Sequence, residues 1–325
     1  MLRTATSLVA KASSRLCCTM TTSPTIAAAE LKELIKSSSV RVLDATYSPT
    51  NLTPGEFEER KLAGKFAELT KLYPNAEYAA EHIPGAVHFH NDIATFPCKF
   101  QKAALYEPAL FEQYARLLGV NKSDAVVVYS RGMAGGMLFA ARAWWLLKAY
   151  GHPSVRVLEG GIDAWKAAGG PTTDVPTTVA TGDFTASAPC KKRLATFDEL
   201  FVEGTCDGQQ RNLLDARPPG QFSGEEPLAF PPNGAPGAHL KGAKNVAIPT
   251  LIANGQLKSG EELAKQLEAA GICAAKESIT LCNAGTQASL LALALEKAGR
   301  TARVFNGSLV EVSRRQPSLI SEKGE

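Results

Sequence analysis

Three things are missing from this chain. It has no C-x-x-C pair among its seven cysteines. It has no apolar run near the ~20 residues needed to span a bilayer. It also has no net charge once its leader is set aside. An odd cysteine count with only Cys17 and Cys18 adjacent supports neither a zinc site nor a disulfide framework. No metal, no cofactor and reduced thiols are therefore expected. Arg3, Lys11 and Arg15 are the only charged side chains before Glu30, and without them the formal charge of +3 falls to zero. A chain so balanced lacks the long-range field that nucleic acid would require, and no membrane partner is expected either.

The leader is basic, rich in Ser and Thr, and free of acids. On a helix, Leu2, Ala5, Leu8, Val9 and Leu16 share one face and Arg3, Lys11 and Arg15 another. A secretory signal needs an uninterrupted apolar stretch, which is absent. Residues 1–22 are therefore expected to be a mitochondrial transit peptide, with a disordered tail on a cytoplasmic protein as the alternative.

What is present is a duplication. Val126-Val-Val-Tyr-Ser130-Arg-Gly-Met-Ala-Gly-Gly136 runs from an apolar strand through a glycine turn into a helix, and Ser278-Ile-Thr-Leu-Cys282-Asn-Ala-Gly-Thr-Gln-Ala288 repeats the plan. Asp44 is echoed by Asp215, His82-Ile-Pro-Gly-Ala86 by His239-Leu-Lys-Gly-Ala243, and Arg156-Val-Leu-Glu-Gly160 by Arg303-Val-Phe-Asn-Gly307. So long a period means tandem domains rather than a solenoid.

Strands are expected at 40–45, Val126–Tyr129, Val155–Leu158, Asn212–Asp215, Ile279–Leu281 and Ala302–Phe305. Helices are expected over Gly136–Tyr150, with Trp144 turned to the core and Trp145 to a neighbouring surface or the reverse, and over Gln287–Ala298. Strands alternating with helices across short loops imply an α/β fold, two parallel sheets each flanked by helices. Gly169–Pro189, rich in Pro, Thr and Ala, reads as a linker. The expected organisation is a first domain over 36–174, a linker over 175–206 and a second domain over 207–320.

Ser130 and Cys282 occupy the same place in the two copies. A thiol there lies beside the N-terminus of the following helix, where free amide N–H groups and the helix dipole favour a thiolate. Cys282 is thus the candidate nucleophile and 283–287 the candidate active-site loop; the alternative is a buried apolar cysteine at a strand end. Cys98, Cys190, Cys206 and Cys273 lack such a setting. His82 and His239 read as residues that hydrogen-bond a turn, and His88 and His90 as surface or turn residues. Arg217 follows the strand-end Asp215, so it either projects into the ligand crevice or pairs with Asp215 or Glu225. Lys241 and Lys244 are further candidate cations.

Together these motifs resemble the rhodanese superfamily, specifically the two-domain thiosulfate/3-mercaptopyruvate sulfurtransferases. The resemblance rests on Glu81-His-Ile-Pro-Gly-Ala86, Arg142-Ala-Trp-Trp145, Tyr150-Gly-His152, Gly160-Gly-Ile-Asp-Ala-Trp165, Asp215-Ala-Arg217, Gly220, Phe222 and Asn306-Gly-Ser308. It implies a non-catalytic first domain and a catalytic second one. Cys282 would take a sulfane sulfur from 3-mercaptopyruvate or thiosulfate as a persulfide and pass it to cyanide or a thiol, a thioredoxin-like protein among the possible acceptors. The loop would be Asn283, Ala284, Gly285, Thr286 and Gln287, with Arg217 and Gln221 at the donor site.

The chain also departs from the family pattern. Gln221 stands where the family has an arginine, a second donor-binding arginine falls near Phe230, and Gly307-Ser-Leu-Val-Glu-Val312 lacks both tryptophans of the family's G-S-W-x-E-W. Gln cannot replace the charge of a carboxylate clamp. A catalytically weak or inactive binding or sensor protein is therefore the alternative reading. A cysteine phosphatase would need an arginine near the loop's end, where Ala288 and Ser289 stand.

Overall fold

The computed structural model describes residues 23–37, 40–202, 210–226 and 238–322. The expected transit peptide at 1–22, Cys206 and Phe230 lie outside the described residues. The first half contributes strands β1 (Thr25–Ile26), β2 (Val40–Asp44), β3 (Val87–His88), β4 (Ala125–Tyr129) and β5 (Val155–Leu158). The second contributes β6 (Leu194–Ala195), β7 (Asn212–Asp215), β8 (Lys244–Asn245), the hairpin strands β9 (Ile252–Ala253) and β10 (Gln256–Leu257), β11 (Ser278–Leu281) and β12 (Ala302–Phe305).

The first sheet has the order β1-β5-β4-β2-β3 and the second β6-β12-β11-β7-β8, and every pairing within them is parallel. Replacing each strand by its repeat partner turns one order into the other. The duplication seen in the motifs is therefore a duplication of topology. Strands such as Ala125–Tyr129 and Ser278–Leu281 are covered on both faces, which is why they read as apolar runs rather than as alternation.

Both sheets extend beyond the expected domain limits. Thr25–Ile26 precedes 36 and pairs with Val157–Leu158, and Leu194–Ala195 lies inside the stretch expected as linker and pairs with Val304–Phe305. Two-residue strands carry no periodicity, so only their distant partners reveal them. Part of the expected linker is likewise packed rather than free. The Gly182 and Phe184 N–H groups donate to Arg116 and Val120 carbonyls at 2.9 and 3.1 Å, and Phe184 is buried.

The halves meet through the helices Leu138–Ala149 and Thr286–Lys297, which pack on each other and are buried nearly all round. One continuous core runs through both. Trp144 and Trp145 are both fully buried. The Trp145 indole N–H donates to the Arg193 carbonyl of the second half at 3.1 Å, so the neighbouring surface expected for one ring is the other domain.

Candidate active site between the two halves

β11 is buried throughout and stops at Leu281, where the chain must turn to enter the next helix. Gly285 makes that turn with φ +89°; a β-carbon there would lie 2.9 Å from the Asn306 carbonyl and 3.0 Å from Arg142 Nη1. The helix Thr286–Lys297 follows, so Cys282 sits against its N-terminal end, where backbone N–H groups have no intrahelical acceptor. The Cys282 sulfur accepts from the Gly285 N–H at 3.1 Å, and its side chain is 2% exposed.

The loop's carbonyls are turned away and used. Leu309 and Val310, at the start of the helix Ser308–Arg315, donate to the carbonyls of Cys282 and Asn283 at 3.1 and 3.0 Å. Ser308 Oγ accepts the Cys282 N–H at 3.1 Å and donates to the Phe305 carbonyl at 2.7 Å. The Gly285 N–H is thereby left directed at the sulfur.

Cys282 opens onto a cleft of about 280 Å³ between the halves. The second half lines it with Gln221, Cys282, Asn283, Ala284, Thr286 and Gln287, and the first with residues that include Tyr47, Asn91, Asp92, Lys102, Phe139 and Arg142. The structure thus brings Gln221 and the loop together. Gln221 Oε1 accepts from Asn283 Nδ2 at 3.0 Å, which ties the short helix Pro219–Ser223 to the loop.

Arg217 is elsewhere. It is fully buried, it does not line the cleft, and its guanidinium grips Asp215 at 2.7–3.0 Å and the Ala238 carbonyl at 2.7 Å. The expectation that it projects into the crevice is corrected in favour of the ion pair. Asp215 is buried at a strand end, and an unpaired charge there would be costly. Lys241 and Lys244 do not line the cleft either; Lys244 donates to the Gly271 carbonyl at 2.6 Å.

His82 and His239 hold backbone carbonyls through Nδ1, at 2.8 Å to Tyr78 and 3.0 Å to Phe222. His88 and His90 are buried rather than at the surface, in a ring cluster with Tyr78. Burial lowers both, His90 to about 3. Among the described residues no group of three or more His, Cys, Asp or Glu is placed to hold a metal ion, and no helix is long and apolar enough to cross a membrane.

Several residues of the cleft carried no functional signal in the sequence. Asp92 accepts from the Tyr47 hydroxyl at 3.3 Å and the Thr50 N–H at 3.1 Å, and burial pushes its carboxyl up despite Lys102 and Arg142 nearby. Tyr47 stacks on Phe139 with centroids 4.3 Å apart. Arg142 is buried, stacked on Trp145 at 4.8 Å, and donates through Nη2 to Asn306 Oδ1 at 2.7 Å. Asn306 in turn donates to Gln101 Oε1 at 3.1 Å and the Ala103 carbonyl at 2.8 Å. The only trace of Arg142 in the sequence was its place in the Arg-Ala-Trp-Trp motif.

Residues 27–168 and 200–315 each match the rhodanese-like domain. The chain belongs to the rhodanese family. Its likeness extends over whole relatives: it is 36% identical over 306 residues to mpst-1 of Caenorhabditis elegans, provisionally named a thiosulfate sulfurtransferase, covering 90% of this chain and 93% of that one. The crystal structure of SseA from Escherichia coli, a rhodanese-fold 3-mercaptopyruvate sulfotransferase, superposes with a TM-score of 0.68 at 25% identity, covering 88% of this chain and 99% of that one. The sulfur transferase subunit of yeast mitochondrial complex I superposes with a TM-score of 0.73 at 27% identity, covering 93% and 99%. Both rhodanese domains are thus matched over nearly their full length.

Proposed function

We propose that this two-domain sulfurtransferase carries the transferred sulfur as a persulfide on Cys282. The observation behind the proposal is the placement of that sulfur, at the N-terminal end of the helix Thr286–Lys297 on the wall of the interdomain cleft, with the Gly285 N–H already donating to it. The Cys282 thiolate attacks the thiol sulfur of 3-mercaptopyruvate or the outer sulfur of thiosulfate, and a sulfur–sulfur bond forms. With 3-mercaptopyruvate the carbon–sulfur bond breaks, its electron pair remains on carbon as the enolate, and protonation by water yields pyruvate. With thiosulfate the sulfur–sulfur bond breaks and sulfite leaves. An acceptor thiolate or cyanide then attacks the outer sulfur of the persulfide and returns Cys282 as thiolate. The loop amides stabilise the charged sulfur at each stage.

Both donors are small anions, and Lys102 and Arg142 are the cations that line the cleft. Gln221 engages Asn283 and supplies no charge, so the donor's anionic end meets cations of the first half. In steady-state assays with each donor, and cyanide or a small dithiol as acceptor, the wild type is expected to release pyruvate or sulfite and Cys282→Ser to release neither. A folded wild type inactive with both donors would instead favour a rhodanese-fold binding or sensor protein, the reading that Gln221 supports. The acid-free leader supports a mitochondrial location, tested by import of the labelled full chain into isolated mitochondria and N-terminal sequencing of the product; an intact chain left outside the organelles and open to added protease would favour the cytoplasmic alternative.

A further inference from the structure

Among the described residues three arginines are buried: Arg142, Arg217 and Arg303. Arg217 is paired with Asp215, and Arg303 with Glu199 and Glu277. Among the described residues Arg142, which is 2% exposed, pairs with no carboxylate, and its Nη1, like that of Arg217, has no hydrogen-bond acceptor. A buried cation left in this way is expensive unless something else supplies the negative charge. The rest of its setting fixes it in place: Asn306 holds Nη2, Trp145 lies under the guanidinium, and Gln101 and the Ala103 carbonyl hold Asn306. The free Nη1 lies next to Gly285, in the turn that carries Cys282, on the cleft wall that Cys282 shares.

We infer that Arg142, supplied by the half whose equivalent loop carries Ser130 in place of a thiol, is the fixed cation of the Cys282 site, its free Nη1 turned to the negative charge that the sulfur carries as thiolate and as persulfide. The first domain then contributes charge to the chemistry of the second, and the missing arginine at residue 221 is compensated from across the interface. Burial lowers the guanidinium to about 10, while the Cys282 sulfur, Tyr150 and Asp92 act in the opposite sense. Arg142 therefore keeps its proton throughout the neutral range. The other charged groups of the cleft are Asp92, whose carboxylate is already engaged by Tyr47 and Thr50, and Lys102, which lies beside Asp92.

The inference rests on Cys282 being the reactive sulfur, and its test separates the two. The rate of iodoacetamide alkylation at Cys282, followed by peptide mass spectrometry from pH 5 to 10, reads the thiolate without requiring turnover. Arg142→Gln is expected to move the midpoint of that profile up by roughly one unit or more, with about a tenfold fall in rate at neutral pH. Arg142→Lys, which keeps the charge, is expected to move it less. If Arg142→Gln does not fold, Asn306→Ala is read instead. It releases Nη2 and is expected to shift the midpoint in the same direction by a smaller amount. A midpoint unmoved in a folded variant, with label still on Cys282, would overturn the role of Arg142 and leave the persulfide proposal standing. Sulfur transfer that persists in Cys282→Ser, whatever the alkylation profile of the Arg142 variants, would overturn the persulfide proposal itself.

Discussion

The turn at Ser130 and the turn at Cys282 are the same piece of architecture closed in one half and open in the other. In the first, the Ser130 hydroxyl donates to the Gly136 carbonyl at 2.7 Å and accepts the Ala140 N–H at 3.3 Å, so its polar capacity is spent inside the loop. Gly132, Ala134, Gly135 and Gly136 all have positive φ, a run that winds the loop tightly on itself. The β9–β10 hairpin of the second half then presses on it, with the Gly255 carbonyl so near that a β-carbon on Gly135 would lie 1.8 Å away. In the second half the carbonyls of Cys282 and Asn283 are taken by the helix Ser308–Arg315, and the sulfur faces a cleft.

An exchange of arginines accompanies the difference. In the first half the strand-end Asp44 is paired with Arg131, the residue after Ser130, which anchors the loop to the sheet at 3.2 Å. In the second half Asp215 is paired with Arg217, two residues along its own chain, and the position after Cys282 holds Asn283, free to face the cleft and Gln221. The same buried carboxylate is satisfied in both halves, but only in the first is the loop used to do it. The scaffold thus allows one loop to be structural and the other reactive without any change of topology.

Substitutions can break or sharpen this contrast, and the largest effect belongs to the thiol. Moving it should fail: Cys282→Ser combined with Ser130→Cys is expected to be as inactive as Cys282→Ser alone, on the order of 10³-fold or more below wild type in sulfur transfer. Recovery of more than a small fraction of the rate would show that the first loop can open.

Next comes the buried ion pair. Arg217→Ala leaves Asp215 uncompensated and should cost about 3–5 kcal/mol in urea unfolding, with the KM for donor unchanged in the fraction that folds. A KM that rises while stability holds would return Arg217 to the donor site.

Acid should separate the halves. His88, His90 and His152 all belong to the first half, and burial lowers each, His90 to about 3. Their neutral forms stabilise the fold fully above the unfolded value near 6.5, and that stability is lost as pH falls below it, by up to about 1.4 kcal/mol per pH unit for His90. Urea midpoints measured from pH 7 to 5 should fall, and His90→Phe should flatten the slope. A slope unchanged by that substitution would exclude His90 as its source.

The smallest expected effect is a gain. Gln221→Arg places a cation beside the loop and should lower KM for 3-mercaptopyruvate several-fold, up to about tenfold. No change in KM would mean that the first half's cations already saturate the donor's charge.

The duplication, the α/β architecture and the contrast between Ser130 and Cys282 were legible because each rests on a local pattern: an apolar strand, a glycine turn, then a helix. Thr25–Ile26 and Leu194–Ala195 were not, since two residues show no period and their pairing partners lie far along the chain. Arg142 was visible as part of a motif but not as part of the site, because its neighbours Gly285 and Asn306 come from the other domain. Arg217 illustrates a different limit. A residue just past a strand end can turn into the crevice or back onto the sheet, and the buried charge of Asp215 decided for the sheet. His88 and His90 looked like surface residues because polar residues usually are; Tyr78 and Tyr114 close over them.

The most direct test of the account is intact-protein mass spectrometry after brief exposure to 3-mercaptopyruvate or thiosulfate, with the wild type, Cys282→Ser, and Cys282→Ser/Ser130→Cys side by side. The account predicts a gain of one sulfur, removed by reductant, on the wild type alone. A sulfur retained by either variant, or none taken up by the wild type from either donor, would contradict it.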